Sequence, residues 1–241
     1  MNLVIDIGNS YFKIGVFDNQ ILIHKHKEKN SQLNNSVNKL FNNYQEIKYC
    51  IVSNVSNINI DNLISNKKIK FFNFSSSLKL PFTIKYESFD SLGNDRLALV
   101  AASIKLRPNS NNLIIDAGTC ITIDFINSKN IYLGGSISPG IEMRYKSLNN
   151  YTSRLPLINK SNNFEFPANS TESCIHAGII GGVSNEISVF IDQIVKKYKN
   201  VNIILTGGDA KLLSKTLKIT IFANQIFILE GLNSILNLNK L

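Results

Sequence analysis

Short apolar runs, separated by polar turns, dominate the hydrophobic pattern at the start of this chain. The first run ends in an Asp-x-Gly turn, and two further runs follow with a polar turn between them. Runs of this length, rich in β-branched residues and bounded by turn residues, predict a buried strand followed by a hairpin. In order, the segments are residues 3–7, the turn 6–10, residues 11–17, the turn 18–19 and residues 20–24.

The same order of elements recurs near the middle of the chain. Asp116 and Gly118 repeat the turn of Asp6 and Gly8, and the spacing between the two aspartates is close to half of the 241 residues. The repeat predicts a duplicated domain, with lobes at 1–110 and 111–241. The segments of the second copy are residues 113–117, the turn 116–119, residues 121–126, the turn 127–130 and residues 131–135.

Elsewhere the pattern alternates strands with helices, which indicates an α/β fold whose hairpins feed mixed sheets. Gly178, Gly181 and Gly182 weaken the longest helix, so we expect close packing or backbone approach to a ligand there. The predicted elements are a strand at 48–53, a helix at 94–106, a helix at 171–199 capped by Ser170 or Thr171, a strand at 201–205, and a helix from Ala210.

Composition narrows the class of protein. With 44% hydrophobic and 18% charged residues, the chain is expected to fold into a packed globule. The net charge of +9 comes from lysines scattered among asparagines without an aromatic and basic stripe, so we expect no nucleic-acid partner. Three widely spaced cysteines without a C-x-x-C pair, and no uninterrupted apolar stretch of about 18 residues, predict a cytoplasmic protein without a membrane partner.

Three glycine turns follow apolar runs and suit phosphate binding. Backbone N–H groups freed at such turns can bind phosphate oxygens, and the hydroxyls of Ser10 and Thr119 can add to them. Asp6 and Asp116, facing each other across a cleft, could hold the cations that neutralise a polyphosphate. A Walker-A motif and a Rossmann G-x-G-x-x-G motif are absent from the sequence. The turns are residues 6–9, 116–119 and 206–209.

A fourth motif, Gly93-Asn94-Asp95-Arg96, places a carboxylate and a guanidinium at a helix start. As structure, Asp95 could cap the helix and Arg96 could be a solvated partner. As chemistry, Asp95 could accept the proton of an alcohol that attacks the γ-phosphate, while Arg96 binds an anionic substrate end. A fifth motif, residues 134–140, could be a turn between strand and helix or a wall that meets substrate through backbone groups.

Taken in order, these motifs resemble type III pantothenate kinase along nearly the whole chain. The resemblance implies duplicated actin-like, ribonuclease H-like domains with an inter-lobe cleft, and a dimer that uses ATP, Mg²⁺ and a monovalent cation, K⁺ or NH₄⁺. It implies ATP-dependent phosphorylation of pantothenate, the first step of coenzyme A biosynthesis. Two departures are Ser10, where threonine is commonest, and Cys120, where alanine is common.

By the same resemblance, each motif acquires an expected role. Asp95 is the expected proton acceptor, Asp116 the ligand of the monovalent cation, and Asp6 the ligand of the divalent cation that accompanies ATP. The expected ATP-binding residues are Asp6, Ile7, Gly8, Asn9, Ser10, Tyr11, Phe12, Lys13, Thr119, Gly207 and Gly208. The expected pantothenate-binding residues are Tyr86, Gly93, Asn94, Asp95, Arg96 and Thr171, with Thr171 next to the dimer interface.

Two rival functions remain open at this point. One is a kinase of the same fold that acts on another small acid or sugar. The other is a non-catalytic regulator that kept the fold, although three carboxylates beside phosphate turns favour an enzyme.

Overall fold

The computed structural model describes residues 1–60, 68–75, 77–88, 91–217 and 226–240. Its elements, in chain order, are β1 (Asn2–Ile7), β2 (Tyr11–Asp18), β3 (Ile21–Lys29), a 3₁₀ turn (Asn30–Gln32), α1 (Leu33–Asn43), β4 (Tyr49–Asn54), β5 (Lys70–Asn73), β6 (Thr83–Ile84), α2 (Asn94–Leu106), β7 (Asn111–Ala117), β8 (Cys120–Ile126), β9 (Ile131–Pro139), α3 (Ile141–Asn150), α4 (Thr171–His176), a π-helix (Ala177–Gly181), α5 (Gly182–Lys197), β10 (Val201–Thr206), α6 (Ala210–Leu217) and α7 (Phe227–Asn239).

These elements form two compact units. The first comprises residues 1–108, residues 130–132 and the chain from Ile226 onward, and the second comprises 109–129 and 133–225. The domain boundaries at 1–110 and 111–241 stay a prediction, since compactness alone does not define an independently folding domain. The α/β class with two mixed sheets is confirmed.

The sheet of the first unit has the strand order β3-β2-β1-β4-β5. β1 pairs antiparallel with β2 and parallel with β4, so the sheet is mixed. Leu3, Ile5 and Ile7 pack with Leu33 and Val37 of α1 in one core. Because side chains alternate along a strand, Asp6 lies on the opposite face, where α7 packs against β1 and β4.

The sheet of the second unit repeats this pairing. β7 pairs antiparallel with β8 and parallel with β10, and β9 lies beside β8. Leu113, Ile115 and Ala117 pack with helix α5 and α6 residues in a second core, so Asp116 lies on the face opposite to that core. The first residues of β9, Ile131 and Tyr132, belong to the first unit and pair there with β6.

Several predicted elements are confirmed and others need correction. The helix at 94–106 matches α2, and Ser170 caps α4 by accepting a hydrogen bond from the Ser173 N–H. Residues 134–139 are not a turn, because they extend β9, and only Gly140 lies at the start of a helix. The second strand of the first hairpin continues to Lys29, beyond the predicted end at residue 24. This edge strand alternates exposed and half-buried side chains, so no apolar run in the sequence marks its full length.

The long helix predicted at 171–199 contains a change of helical type. Its residues form α4, the π-helix and α5 in succession. A Cβ on Gly181 would lie 2.9 Å from the ring of Phe164, so this glycine allows the close packing that was expected. Nothing within 4 Å would meet a Cβ on Gly178 or Gly182.

One helical stretch of the described chain, Thr171–Lys197, could cross a membrane by length and composition alone. Ile175, Ile179, Val183 and Ile187 from this stretch are buried in the second core. A core helix of a globular protein passes the same test of length and composition, so the stretch is weak evidence for a membrane span.

Candidate functional site

Asp6 occupies the middle of a row of polar side chains across three strands. It pairs in register with Lys13 on β2 and with Ser53 on β4, so the three side chains share one face of the sheet. The Lys13 Nζ atom donates a hydrogen bond to Asp6 Oδ2 at 3.3 Å. Ser53 is fully buried, and its hydroxyl has no hydrogen-bond partner within the described part of the chain.

The Asp6 carboxylate is buried, and burial raises its pKa above the ordinary aspartate value. The nearby Lys13 ammonium lowers the pKa, and the negative charge of Asp95 raises it further. The effect of desolvation on the pKa exceeds that of Lys13, because the distance from Lys13 Nζ to Asp6 Oδ2 is long for an ion pair and Asp6 is almost fully buried. The carboxylate therefore favours a further cationic partner, and Asp95 must lie close enough to act on it electrostatically.

The expected ATP loop follows Asp6 directly. Gly8 N–H donates to the Tyr11 carbonyl at 3.0 Å, which closes the turn between β1 and β2. Ile7 and Phe12 are fully buried in the first core, so at these positions only backbone atoms can face a ligand. Asn9 and Ser10 form the exposed tip of the turn.

The Asp95 motif is held at the start of α2. Gly93 is the cap position, and Asp95 Oδ1 accepts a hydrogen bond from Arg96 N–H at 2.8 Å, so Asp95 does not cap the helix as structure alone had suggested. Asn94 Nδ2 donates to the Phe74 carbonyl at 3.0 Å and anchors the segment.

Arg96 is buried, which corrects the expectation of a solvated side chain. Its guanidinium lies 5.9 Å from the centre of the Tyr86 ring, in the range of a cation–π contact. Arg96 and Tyr86, predicted from separate parts of the sequence, thus come together in the first unit. The charge of the neighbouring Asp95 acts on the pKa of Asp6.

Asp116 occupies the matching place in the second unit. It pairs in register with Thr122 on β8 and Thr206 on β10. Gly207 follows with φ +100°, and a Cβ there would lie 2.5 Å from Asp116 Oδ1. Only glycine therefore allows this turn to pass so close to the carboxylate.

Backbone hydrogen bonds join two other segments to the turn after Asp116. Asp209 N–H donates to the Ala117 carbonyl at 2.9 Å, and Gly140 N–H donates to the Thr119 carbonyl at 3.0 Å. The motifs at 116–119, 134–140 and 206–209 are therefore adjacent within the second unit. Gly208 lies in the same turn as Gly207, and a Cβ there would meet no atom within 4 Å.

Thr171 lines a separate cavity of about 630 Å³ in the second unit. Leu148, Leu155 and Cys174 also line it, together with the residues that lead into α4. Thr171 is the first residue of α4, so Ser170 presents it at a well-defined helix start. The expected role of Thr171 in binding pantothenate stays a prediction.

Sequence reasoning missed three residues that contact these motifs. Asn30 hydrogen-bonds to the loop after β1, Ser53 lies beside Asp6, and Lys160 Nζ donates to Asp209 Oδ1 at 2.5 Å. Register could have indicated Ser53, because it occupies on β4 the place that Thr206 occupies on β10. Lys160 lies in an irregular connection, and Asn30 is one of many asparagines, so neither carries a sequence signal.

Both aspartates have a hydroxyl side chain beside them on the neighbouring parallel strand. Within the described residues, no group of three or more His, Cys, Asp or Glu side chains could hold a metal ion. Asp6 lies beside Lys13 and Ser53. Asp116 lies beside Thr122 and Thr206. Carboxylate and hydroxyl oxygens are donors that hard cations prefer. The residues present therefore fit a cation that arrives together with a phosphate ligand.

Comparisons with known proteins show the family of the chain. The family model described as type III pantothenate kinase matches residues 2–193. A type III pantothenate kinase of Christiangramia forsetii is 42% identical over 241 residues, covering 100% of this chain and 99% of the relative.

Solved structures show the same fold at lower identity. A Campylobacter jejuni protein described as belonging to the Baf family of transcriptional activators has a TM-score of 0.65 at 23% identity, covering 98% of this chain and 97% of its own. A glucokinase from an Antarctic psychrotroph has a TM-score of 0.53 at 13% identity, covering 98% of each chain. The fold is therefore the actin-like sugar-kinase fold, and the chain belongs to the type III pantothenate kinase family.

Proposed function

We propose that this chain phosphorylates pantothenate with ATP, as the name of its family states, and that Asp95 accepts the proton of the attacking hydroxyl. The observation that carries the assignment is the grouping in the first unit. Asp95 acts electrostatically on Asp6, while the neighbouring Arg96 is buried against Tyr86. In this proposal, Asp95 would accept the proton near the expected phosphate loop, and the neighbouring Arg96 guanidinium would hold a carboxylate.

Pantothenate offers two groups that fit this arrangement, a carboxylate and a primary hydroxyl. Arg96 would hold the carboxylate, Tyr86 and residues 93–95 would flank the chain, and the hydroxyl would face Asp95. Phosphoryl transfer requires little covalent work from the protein, so positioning and charge stabilisation supply most of the rate. Thr171 would complete the pocket near a dimer interface.

The nucleotide would bind through the turns that follow β1, β7 and β10. Lys13 and the backbone of residues 7–12 would hold phosphate oxygens, with Thr119, Gly207 and Gly208 as further contacts. Asp6 would hold a divalent cation with ATP, and Asp116 a monovalent cation, K⁺ or NH₄⁺. A divalent cation bound to ATP neutralises charge on the β- and γ-phosphates.

The same proposal includes a homodimer in the cytoplasm. A reducing compartment fits the three cysteines, which form no disulfide among themselves. Size-exclusion chromatography with light scattering measures the oligomeric state directly, and a monomer at all concentrations would contradict the dimer.

A coupled ADP-release assay tests the activity. ADP release should depend on pantothenate, and a panel of sugars and other carboxylic acids should give none. Asp95→Asn should lower kcat by about 10²- to 10⁴-fold, the usual contribution of a general base. Full activity of this variant would remove Asp95 from the mechanism, and ADP release with a sugar alone would favour the rival kinase.

The rival regulator is tested by the same assay. Likeness to the Campylobacter jejuni protein at 23% identity supports the fold and not a regulatory role. Absence of pantothenate-dependent ADP release at any concentration of K⁺ and Mg²⁺, from protein that is folded by circular dichroism, would favour the regulator.

A further inference from the structure

Asn30 holds three successive carbonyl groups of the loop after β1. Its side-chain Nδ2 atom donates to the Gly8 carbonyl at 2.8 Å and to the Asn9 carbonyl at 3.2 Å. Its backbone N–H donates to the Ser10 carbonyl at 3.1 Å. One residue, placed just after β3 by the 3₁₀ turn, thus fixes the direction of three peptide units.

The directions of these carbonyl groups also fix the directions of the neighbouring N–H groups. In a trans peptide, the carbonyl of one residue and the N–H of the next point in opposite directions. Because the Gly8 and Asn9 carbonyls point at Asn30, the N–H groups of Asn9 and Ser10 must point away from it. Within the described part of the chain, no hydrogen bond uses either N–H group. Two adjacent N–H groups are therefore preset to receive an anion.

The orientation of the Asn30 carboxamide is determined by its surroundings. Both contacts on the loop side are carbonyl oxygens, which accept and cannot donate. A flipped carboxamide would place Oδ1 against two oxygens, so the nitrogen must face the loop. Aspartate at this position, although similar in shape, could not make these hydrogen bonds.

We infer that Asn30 is a positioning residue that presets the loop of Gly8, Asn9 and Ser10 for the phosphates of ATP. The inference rests on the proposed role of this loop in ATP binding. Asn30 itself does not touch the phosphates in this account, because it lies on the carbonyl side of the loop and the ligand would lie on the N–H side.

Two substitutions at Asn30 and two matched controls test the inference. Asn30→Ala removes both side-chain donors without adding charge, and Asn30→Asp removes them and adds a negative charge. Asn34→Ala and Asn34→Asp make the same changes four residues later, at an exposed position on α1. Dissociation constants for ATP and for inorganic tripolyphosphate are measured by calorimetry without pantothenate, and thermal unfolding is followed in parallel.

We expect Asn30→Ala to raise both dissociation constants about 10-fold, the loss expected from two hydrogen bonds that preorganise the loop. Asn30→Asp should raise them further, and the Asn34 controls should change them less than about 2-fold. The KM for ATP should rise with them, while the KM for pantothenate stays unchanged. A folded Asn30→Ala variant with unaltered dissociation constants would overturn the inference, even if it unfolds at a lower temperature.

Nuclear magnetic resonance of the unsubstituted protein decides the case if the variants fail to fold. Tripolyphosphate should shift the amide resonances of Asn9 and Ser10 more than those of the residues in strands β2 and β3. Tight binding of tripolyphosphate without these shifts would overturn the inference.

The proposed function and the inference fail in distinguishable ways. Protein that binds ATP but releases no ADP with pantothenate contradicts the proposed function, and the effect of Asn30→Ala on ATP binding still decides the inference. Protein that binds neither ATP nor tripolyphosphate contradicts both.

Discussion

The turn after β1 and the turn after β7 are two copies of the same Asp-x-Gly turn in different surroundings. Both aspartates stand in the middle strand of three, on the face opposite to a hydrophobic core. Asp6 lies opposite a lysine on the antiparallel strand, whereas Asp116 lies opposite Thr122. The residue opposite the aspartate on the antiparallel strand thus decides whether the site contains a cationic side chain.

The two turns also differ in length. Ile7 pairs with Phe12 and Ala117 pairs with Ile121, so the first turn is one residue longer. Asn30 holds three successive carbonyls of the longer first turn. In the second unit, the Gly207 turn lies against Asp116, and Gly140 at a helix start donates to the Thr119 carbonyl. A duplicated scaffold can therefore place different side chains and turns around the same aspartate position in its two halves.

Within this comparison of the two turns, the largest expected effect comes from removing the lysine that distinguishes the first turn. Lys13→Met should lower kcat/KM for ATP by about 10- to 100-fold, because a hydrogen bond to a charged group contributes about 1.5–3 kcal/mol. The control is Thr122→Val at the matching position of the second hairpin, which should lower it less than about 3-fold. Steady-state kinetics with varied ATP measures both, and equal losses would break the comparison.

Replacing each aspartate in turn should separate the two cation sites. Asp116→Asn should abolish activation by K⁺, a loss of about 10-fold at saturating K⁺, because the amide keeps an oxygen but removes the charge. Asp6→Asn should lower activity at every K⁺ concentration and leave the remaining activity dependent on K⁺. Titrations with KCl at constant ionic strength distinguish the variants. Retained activation in Asp116→Asn would contradict the assignment of the monovalent cation.

Ser53 and Thr206, the hydroxyl residues beside the two aspartates, should differ in their effect on the free energy of unfolding. The Ser53 hydroxyl has no hydrogen-bond partner among the described residues, whereas Thr206, which is also buried, makes a polar interaction. Ser53→Ala should leave the free energy of unfolding unchanged or raise it by about 1 kcal/mol, and Thr206→Val should lower it by about 1 kcal/mol. Urea denaturation without ligand measures both changes. A loss of similar size in both variants would show that Ser53 is satisfied in solution.

The smallest effect concerns pH, because only the first hairpin contains histidines. Burial, followed by the charges of His26 and Lys39, lowers the pKa of His24 below the ordinary value of 6.5. The unfolded chain therefore binds a proton more readily, and stability present above pH 6.5 is lost as the pH falls through the folded-state pKa. The melting temperature should fall between pH 7.5 and pH 5, and in the His24→Gln variant this fall should be smaller by about 1 °C. An unchanged pH dependence would indicate that His24 is as solvated in the folded protein as in the unfolded chain.

Sequence patterns predicted the elements whose local signals agree with their environment. The helix at 94–106 was predictable because it is long, is rich in Leu and Ala and contains neither Gly nor Pro, while Gly93 precedes it. Residues 134–139 were not, because Gly, Ser and Pro usually mark turns, whereas here they extend an exposed portion of β9. The motifs predicted the site residues of the first unit, and these assignments stay predictions; the burial of Arg96 was not predicted.

The sequence by itself determined the duplicated strand–turn–hairpin units, their aspartates and the family of the enzyme, because each depends on residue types at short spacing. Tertiary structure alone decided that Asn30 would hold the first loop, that Lys160 would reach Asp209, and that Ser53 would lie beside Asp6. These pairs are separated by about 20 to 50 positions along the chain. Contacts between such distant residues follow from strand register and packing, which local sequence patterns do not encode.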